Sequence, residues 1–169
     1  MNPFDRTTWV EAAVLVLLWS KDGKECILLT RRTEEVLHHK GEICFPGGAR
    51  DPEDSNLWAT ALRETHEEVG IEEQHIIRLK ELPQQKTPSG FCVTPFLGEV
   101  KNELVLTPNT QEIAEILLVP LEHLRNPKNF SLIKKEWETF QYVDPTFEFG
   151  PHKIWGMTGR VLCDLLAVC

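Results

Sequence analysis

The chain has little that would tie it to a membrane, to nucleic acid or to an oxidising compartment. Of its 169 residues 41% are hydrophobic, yet no apolar run reaches the roughly 18 residues that a membrane-spanning helix needs. The stretch AAVLVLLW at 12–19 is too short, follows Glu11, and lacks the basic start and small-residue cleavage site of a secretory leader. It reads as a buried strand. Cysteines are few and odd in number (Cys26, Cys44, Cys92, Cys163 and Cys169), with no CxxC pair. That pattern disfavours a zinc site or a disulfide framework and fits free thiols in a reducing compartment, so a cytoplasmic location is expected. The final Ala-Val-Cys is no Ser-Lys-Leu peroxisomal address. Basic residues are outnumbered, 18 Lys and Arg against 26 Asp and Glu, for a net charge of −8. General affinity for nucleic acid or an anionic membrane is therefore not expected. Internal repeats, low-complexity tracts and linkers are also missing, and the length suffices for a buried core, which predicts one domain over residues 1–169.

What is present is a mixture of strands and a few helices. Strand patterns cover Ala12–Trp19, Glu25–Thr30, Glu42–Phe45, Ile76–Leu82, Phe91–Val100, Ile113–Val119 and Trp137–Tyr142, with turn residues at Lys21–Lys24 and Pro88–Gly90. Helical periodicity covers Leu57–Val69 and Gly156–Val168, with a short helix after Pro120. The irregular alternation predicts an α/β fold with a mixed sheet flanked by helices. In the first helix Trp58, Leu62, Thr65 and Val69 form a core-facing stripe. Asp54 or Ser55 is the expected N-cap, and Gly70 the stop.

That helix poses a problem. Glu64, Glu67 and Glu68 crowd its C-terminal turns, where unpaired carbonyls already carry partial negative charge and basic residues are preferred. The spacing puts the three together, facing away from the apolar stripe, where they repel one another. Between Asp51 and Gly70 the only basic residue is Arg63, four positions before Glu67 and able to brace it. A solvated face normally interleaves lysine with glutamate. The helix alone leaves two readings open, a solvated acidic face and an oxygen-ligand site for a hard divalent ion such as Mg²⁺ or Mn²⁺.

The surrounding segment, FPGGARDPEDSNLWATALRETHEEVGI at 45–71, closely resembles the Nudix box. The match is good from Arg63 to Ile71, with Thr65 at a position that is usually apolar. The first half departs: five residues after Gly48 stands Asp54 rather than a glutamate, and eight residues rather than seven separate it from Arg63. Either Glu53 or Asp54 could fill the first acidic position. The preceding LLTRRTEEVLHHKGEICFPGG at 28–48 is similar to the signature of the coenzyme A diphosphatase branch, with Thr33 in place of Ser or Ala. Segments 90–100, 112–124 and 154–162 also resemble that branch.

This resemblance implies a Nudix fold, an α/β/α sandwich, and Mg²⁺- or Mn²⁺-dependent hydrolysis of coenzyme A or acyl-coenzyme A to 3′,5′-ADP and 4′-phosphopantetheine or its acyl form. It implies metal ligation by Glu64, Glu67 and Glu68, with Arg63 orienting Glu67. Glu112, ahead of Glu115, is the candidate for a further acid from a distant loop. Gly47 and Gly48 would allow close backbone approach. Arg32, then Arg31, and His39 would meet substrate phosphates. For each there is a plainer role: a strand-end charge for Arg31, loop packing for His39, edge-strand charge for Glu112 and Glu115. His66 is read as non-ligating. The expected partner is a small nucleotide, with no nucleic acid and no membrane, and a homodimer is left open. Rival readings are a Nudix hydrolase of ADP-ribose, NADH or a nucleoside triphosphate, and a catalytically silent Nudix ligand-binding domain.

Overall fold

The computed structural model describes residues 7–34, 41–101, 105–137 and 140–169. Strand β1 (Val10–Lys21) turns through Asp22 and Gly23, both at positive φ (52° and 74°), into β2 (Lys24–Arg32). Asp-Gly is the dipeptide that a tight hairpin of this kind requires. β3 (Ile43–Cys44) and β4 (Gly47–Ala49) are short strands that pair with β2 and β1. α1 (Leu57–Val69) follows, then β5 (Ile76–Glu81), β6 (Gln85–Lys86) and β7 (Phe91–Val100). β8 (Ile113–Pro120) leads into the short α2 (Leu121–Arg125). A three-stranded unit, β9 (Phe130–Trp137), β10 (Phe140–Phe149) and β11 (His152–Ile154), precedes α3 (Gly156–Leu166).

The main sheet is mixed, as expected. β1 runs parallel to β7 but antiparallel to β2, and β8 lies antiparallel along β2. β1 is buried on both faces, which explains its nearly unbroken apolar run. Ala13, Leu15, Leu17 and Trp19 pack towards α1 with Ala61 and Val69. Ala12, Val14 and Val16 pack towards α3 with Val161 and Leu162. The sheet therefore lies between two helices, the layered α/β arrangement.

Four expectations need correction. The strand expected over Trp137–Tyr142 is the end of one strand and the start of another, Trp137 pairing with Phe140; residues 138–139 lie outside those described. The N-cap of α1 is Asn56, whose side chain accepts from the Ala59 N–H at 3.0 Å. Asp54 is drawn off by Arg63 instead. Within the expected core stripe Thr65 and Val69 are buried but Trp58 and Leu62 are only partly so. Finally, not all five cysteines are free. α3 ends at Leu166, Ala167 turns the chain at φ 52°, and Cys169 comes back onto Cys163 in a disulfide.

Candidate active site

The outward face assigned to the three glutamates is wrong for one of them. Glu68 is 2% exposed and belongs to the buried side of α1, whereas the Glu67 side chain is 54% exposed. Glu64 lies between, its side chain 18% exposed. A 13-residue helix on a twisted sheet buries a stripe wide enough to take in position 68 beside Thr65 and Val69.

Glu68 is held by two donors. The Gly47 N–H donates to its Oε2 at 3.2 Å, and Arg32 Nη1 donates to its Oε1 at 3.2 Å. Burial still pushes its carboxyl up to about 8, with Arg32 and the Gly47 N–H pulling the other way. Burial also raises the Glu64 carboxyl, against the pull of Arg63. The glycine pair lies tight against the site, and at Gly47 the fit is sterically required. Gly47 sits at φ 153°, and a Cβ there would strike the Ala13 carbonyl oxygen. A Cβ on Gly48 would stand 2.6 Å from the Glu64 carboxylate.

Arg63 is the hub. Its Nε and Nη2 make a paired contact with Asp54, 3.0 Å to each carboxylate oxygen, and Nη2 also reaches the Ala49 carbonyl at 3.2 Å. Nη1 donates to Glu64 at 2.8 Å and only more weakly, at 3.3 Å, to Glu67. Arg63 therefore orients Glu64 more than the expected Glu67. The geometry also separates the two candidates for the first acidic position. Asp54 is buried against Arg63, which holds its carboxyl well below the usual range, while Glu53 is exposed. The longer spacing to Arg63 is absorbed by the turn at 51–54, closed by the Asp54 N–H donating to the Asp51 carbonyl at 3.0 Å.

The negative end of α1 is covered by the loop before β8. The Thr107 N–H donates to the Val69 carbonyl and the Asn109 N–H to the Glu68 carbonyl, both at 3.0 Å. These donors answer part of the helix-end cost, since they satisfy carbonyls that would otherwise be orphaned. Gly70 is needed for a second reason besides its left-handed φ of 76°: a Cβ there would run into the Thr107 hydroxyl. The same loop delivers Glu112. Asn109 Nδ2 donates to Glu112 Oε1 at 3.3 Å, and Arg32 Nη2 lies 3.7 Å from Glu112 Oε2. Asn109 and Thr107 are residues that sequence reasoning missed, because only the fold brings them to the helix end.

Other expected residues are not brought in. Alternation along β2 sends Arg31 to the opposite face from Arg32. There it donates to Glu115 at 3.2 Å, which His152 also approaches at 3.4 Å. Glu115 is thereby separated from the cluster, and Glu112 is the loop acid beside it. His66 is exposed. His39 lies outside the described residues. Cys44 sits close enough to Glu68 to feel its charge; burial first, and that charge second, push its thiol up to about 11, which leaves it protonated and unreactive at neutral pH.

The donor set is all oxygen, from carboxylates that burial makes costly to ionise without a cation, and this suits a hard divalent ion. Among the described residues no three His, Cys, Asp or Glu groups already converge as ligands. Guanidinium groups stand between the carboxylates instead, Arg63 between Glu64 and Glu67, and Arg32 between Glu68 and Glu112. The residues fit a metal ion by chemistry, with positive charge already occupying the shared edges.

The NUDIX domain pattern matches residues 9–140. The uncharacterized Nudix hydrolase NudL of Photorhabdus laumondii is 35% identical over 154 residues, covering 91% of this chain and 82% of that protein. The human mitochondrial coenzyme A diphosphatase NUDT8 is 39% identical, covering 89% of this chain and 65% of its own length. The mouse peroxisomal coenzyme A diphosphatase NUDT7 is 33% identical, covering 88% and 66%. The chain thus spans about two thirds of these two diphosphatases. Among solved structures, a Caenorhabditis elegans Ap4A hydrolase in a binary complex superposes with a TM-score of 0.58 at 24% identity, over 66% of this chain and 80% of that one, a likeness of fold.

Proposed function

Because the chain belongs to the Nudix hydrolase family, enzymes acting on diphosphate bonds, we propose that it hydrolyses the diphosphate of coenzyme A or acyl-coenzyme A. The products would be 3′,5′-ADP and 4′-phosphopantetheine or its acyl form. The observation that carries the chemistry is Glu68, a buried carboxylate at the negative end of α1 with Glu64 beside it and the Gly47–Gly48 backbone against both. The substrate is supported by the identity to coenzyme A diphosphatases and by the matching stretch from Leu28 to Gly48.

Glu64, Glu67 and Glu68, with Glu112 from the loop, would hold a divalent ion, Mg²⁺ or Mn²⁺. Such an ion supplies neutralisation of the diphosphate oxygens and a water made acidic enough to attack near neutral pH. This chain's own residues do the rest. Arg63, anchored on Asp54, fixes the Glu64 carboxylate. Gly47 orients Glu68 through its N–H and, lacking a side chain, leaves the backbone open to a phosphate. Arg32 stands at the cluster, paired with Glu68 and Glu112, and an ion that took those carboxylates would leave its guanidinium to a phosphate oxygen. His39 keeps its proposed role as a phosphate contact. The substrate is a small nucleotide derivative, and no nucleic acid or membrane partner is proposed. Among the described residues no helix is long and apolar enough to cross a membrane.

A hydrolysis panel in Mg²⁺ tests this reading, with coenzyme A, acetyl-coenzyme A, ADP-ribose, NADH and nucleoside triphosphates as substrates and products identified by mass. Release of 3′,5′-ADP at the highest kcat/KM is expected. Preference for ADP-ribose or NADH would keep the chemistry but overturn the substrate, and no turnover of any would favour a silent domain.

A further inference from the structure

The two arginines of the site are held in different ways. Arg63 makes a forked pair with one carboxylate, Asp54, and adds the Ala49 carbonyl. That is the geometry in which a guanidinium binds most firmly. Arg32 has no such fork. Nη1 is 3.2 Å from Glu68 and Nη2 is 3.7 Å from Glu112, two carboxylates on different elements. Its Nε is buried with no hydrogen-bond partner, an arrangement that leaves a donor unsatisfied. The Arg32 backbone is nonetheless fixed, its N–H donating to the Glu42 carbonyl at 3.1 Å and its Cα in register with Ile113. The side chain can change partners with no movement of the strand.

The carboxylates it bridges are two of the four that would hold a divalent ion. We infer that Arg32 is a stand-in cation, which bridges Glu68 and Glu112 in the metal-free protein and turns to the substrate's diphosphate once a divalent ion takes those carboxylates. This rests on the proposed metal-dependent hydrolysis. A guanidinium cannot satisfy carboxylates and a phosphate with the same donors. An ion that neutralises the carboxylates therefore frees Arg32 for the phosphate, and the two ligands bind with positive coupling. A fixed structural brace predicts the reverse. Removing it would leave Glu68 with the Gly47 N–H alone and less firmly placed, and metal binding would weaken.

The test uses Arg32→Gln and Arg32→Lys in the full chain. Mn²⁺ binding is titrated calorimetrically without substrate, and KM and kcat for coenzyme A are measured in saturating Mn²⁺. Arg32→Gln should bind Mn²⁺ about threefold or more tightly than the unaltered protein, because a competing cation is gone. Its KM should rise about tenfold while kcat falls less, because a phosphate contact is lost. Arg32→Lys, a compact charge without the fork, should fall between. It carries the test alone if Arg32→Gln fails to fold. Arg125→Gln, on exposed α2 surface, controls for a general change in charge. Mn²⁺ binding that is weaker or unchanged in both Arg32 variants would overturn the exchange and leave Arg32 a fixed brace. If the unaltered protein binds no Mn²⁺, the metal-site reading falls and takes this inference with it.

Discussion

Two buried carboxylates, Glu68 on α1 and Asp144 on β10, sit in opposite circumstances. Asp144, its side chain 1% exposed, meets Lys135 Nζ at 2.8 Å and Arg160 Nη1 at 3.4 Å, and accepts the Gly156 N–H at 3.0 Å. That N–H belongs to the first turn of α3, the helix end that favours negative charge. Lys135 also lies 3.6 Å from the centre of the Trp155 ring. Glu68 is as deeply buried but stands at the other kind of helix end, with one guanidinium and one backbone N–H. Asp144 is placed where the fold wants a charge and ties β9, β10 and α3 together. Glu68 is placed where the fold does not, and the proposed function accounts for this by giving it a partner from outside.

Breaking the two should therefore have different consequences. The largest expected effect is on turnover: Glu64→Gln or Glu68→Gln should lower kcat for coenzyme A by about a thousandfold or more, since metal-held charge stabilisation supplies several kcal/mol of barrier lowering. Steady-state assays in Mg²⁺ read this directly, and a loss under tenfold would remove the residue from the site. Next is stability at the other carboxylate. Asp144→Ala should cost about 3 kcal/mol by leaving Lys135 and Arg160 without their shared partner, seen as a lower urea midpoint, while the folded fraction keeps its turnover.

Asp54→Asn tests the hub between these extremes. It removes a charged acceptor from a paired contact with Arg63 and should cost about 2 kcal/mol, with kcat reduced about tenfold because Arg63 no longer fixes Glu64 firmly. The sign of its pH dependence is set by its depressed carboxyl: the contribution is present above the unfolded value of about 3.9 and is lost only as pH falls through the acid range. Glu68 behaves oppositely. Its carboxyl is raised to about 8, so the metal-free protein is unpenalised while the group is protonated in both states, and loses stability as pH rises from about 4.3 towards 8. Glu68→Gln should then melt higher than the parent in EDTA at pH 8, by about 1 kcal/mol or more, with the gain vanishing near pH 4.5. A Gln variant that melts lower at pH 8 would show that Glu68 is structural.

How far the sequence reached follows the same division. The span of α1 was legible to the residue, because helical periodicity and Gly70 mark its length and its end, while its N-cap and the width of its buried face were not. β7 was legible for the same reason, an apolar run between Gly90 and Lys101. The box named the three glutamates, and the Arg63–Asp54 pair resolves an ambiguity that spacing alone could not. The burial of Glu68 was not legible, because periodicity assigns a glutamate outward and only tertiary packing decides the width of the buried stripe. Nor was the opposite orientation of Arg31, although strand alternation, applied to two adjacent arginines, contains it. Asn109 and Thr107 carry no local signal at all; they matter through contacts some 40 residues distant in the chain.

The central claim is that Glu68 is kept for a cation at the expense of the fold. Its most direct test is thermal melting of the parent and of Glu68→Gln at pH 8, each in EDTA and in excess Mn²⁺. An ion that binds only the folded state at a hundred times its dissociation constant adds about 2.7 kcal/mol. The account predicts that Mn²⁺ raises the melting temperature of the parent by several degrees and leaves that of Glu68→Gln nearly unmoved. Equal shifts in the two proteins, or none in the parent, would contradict it.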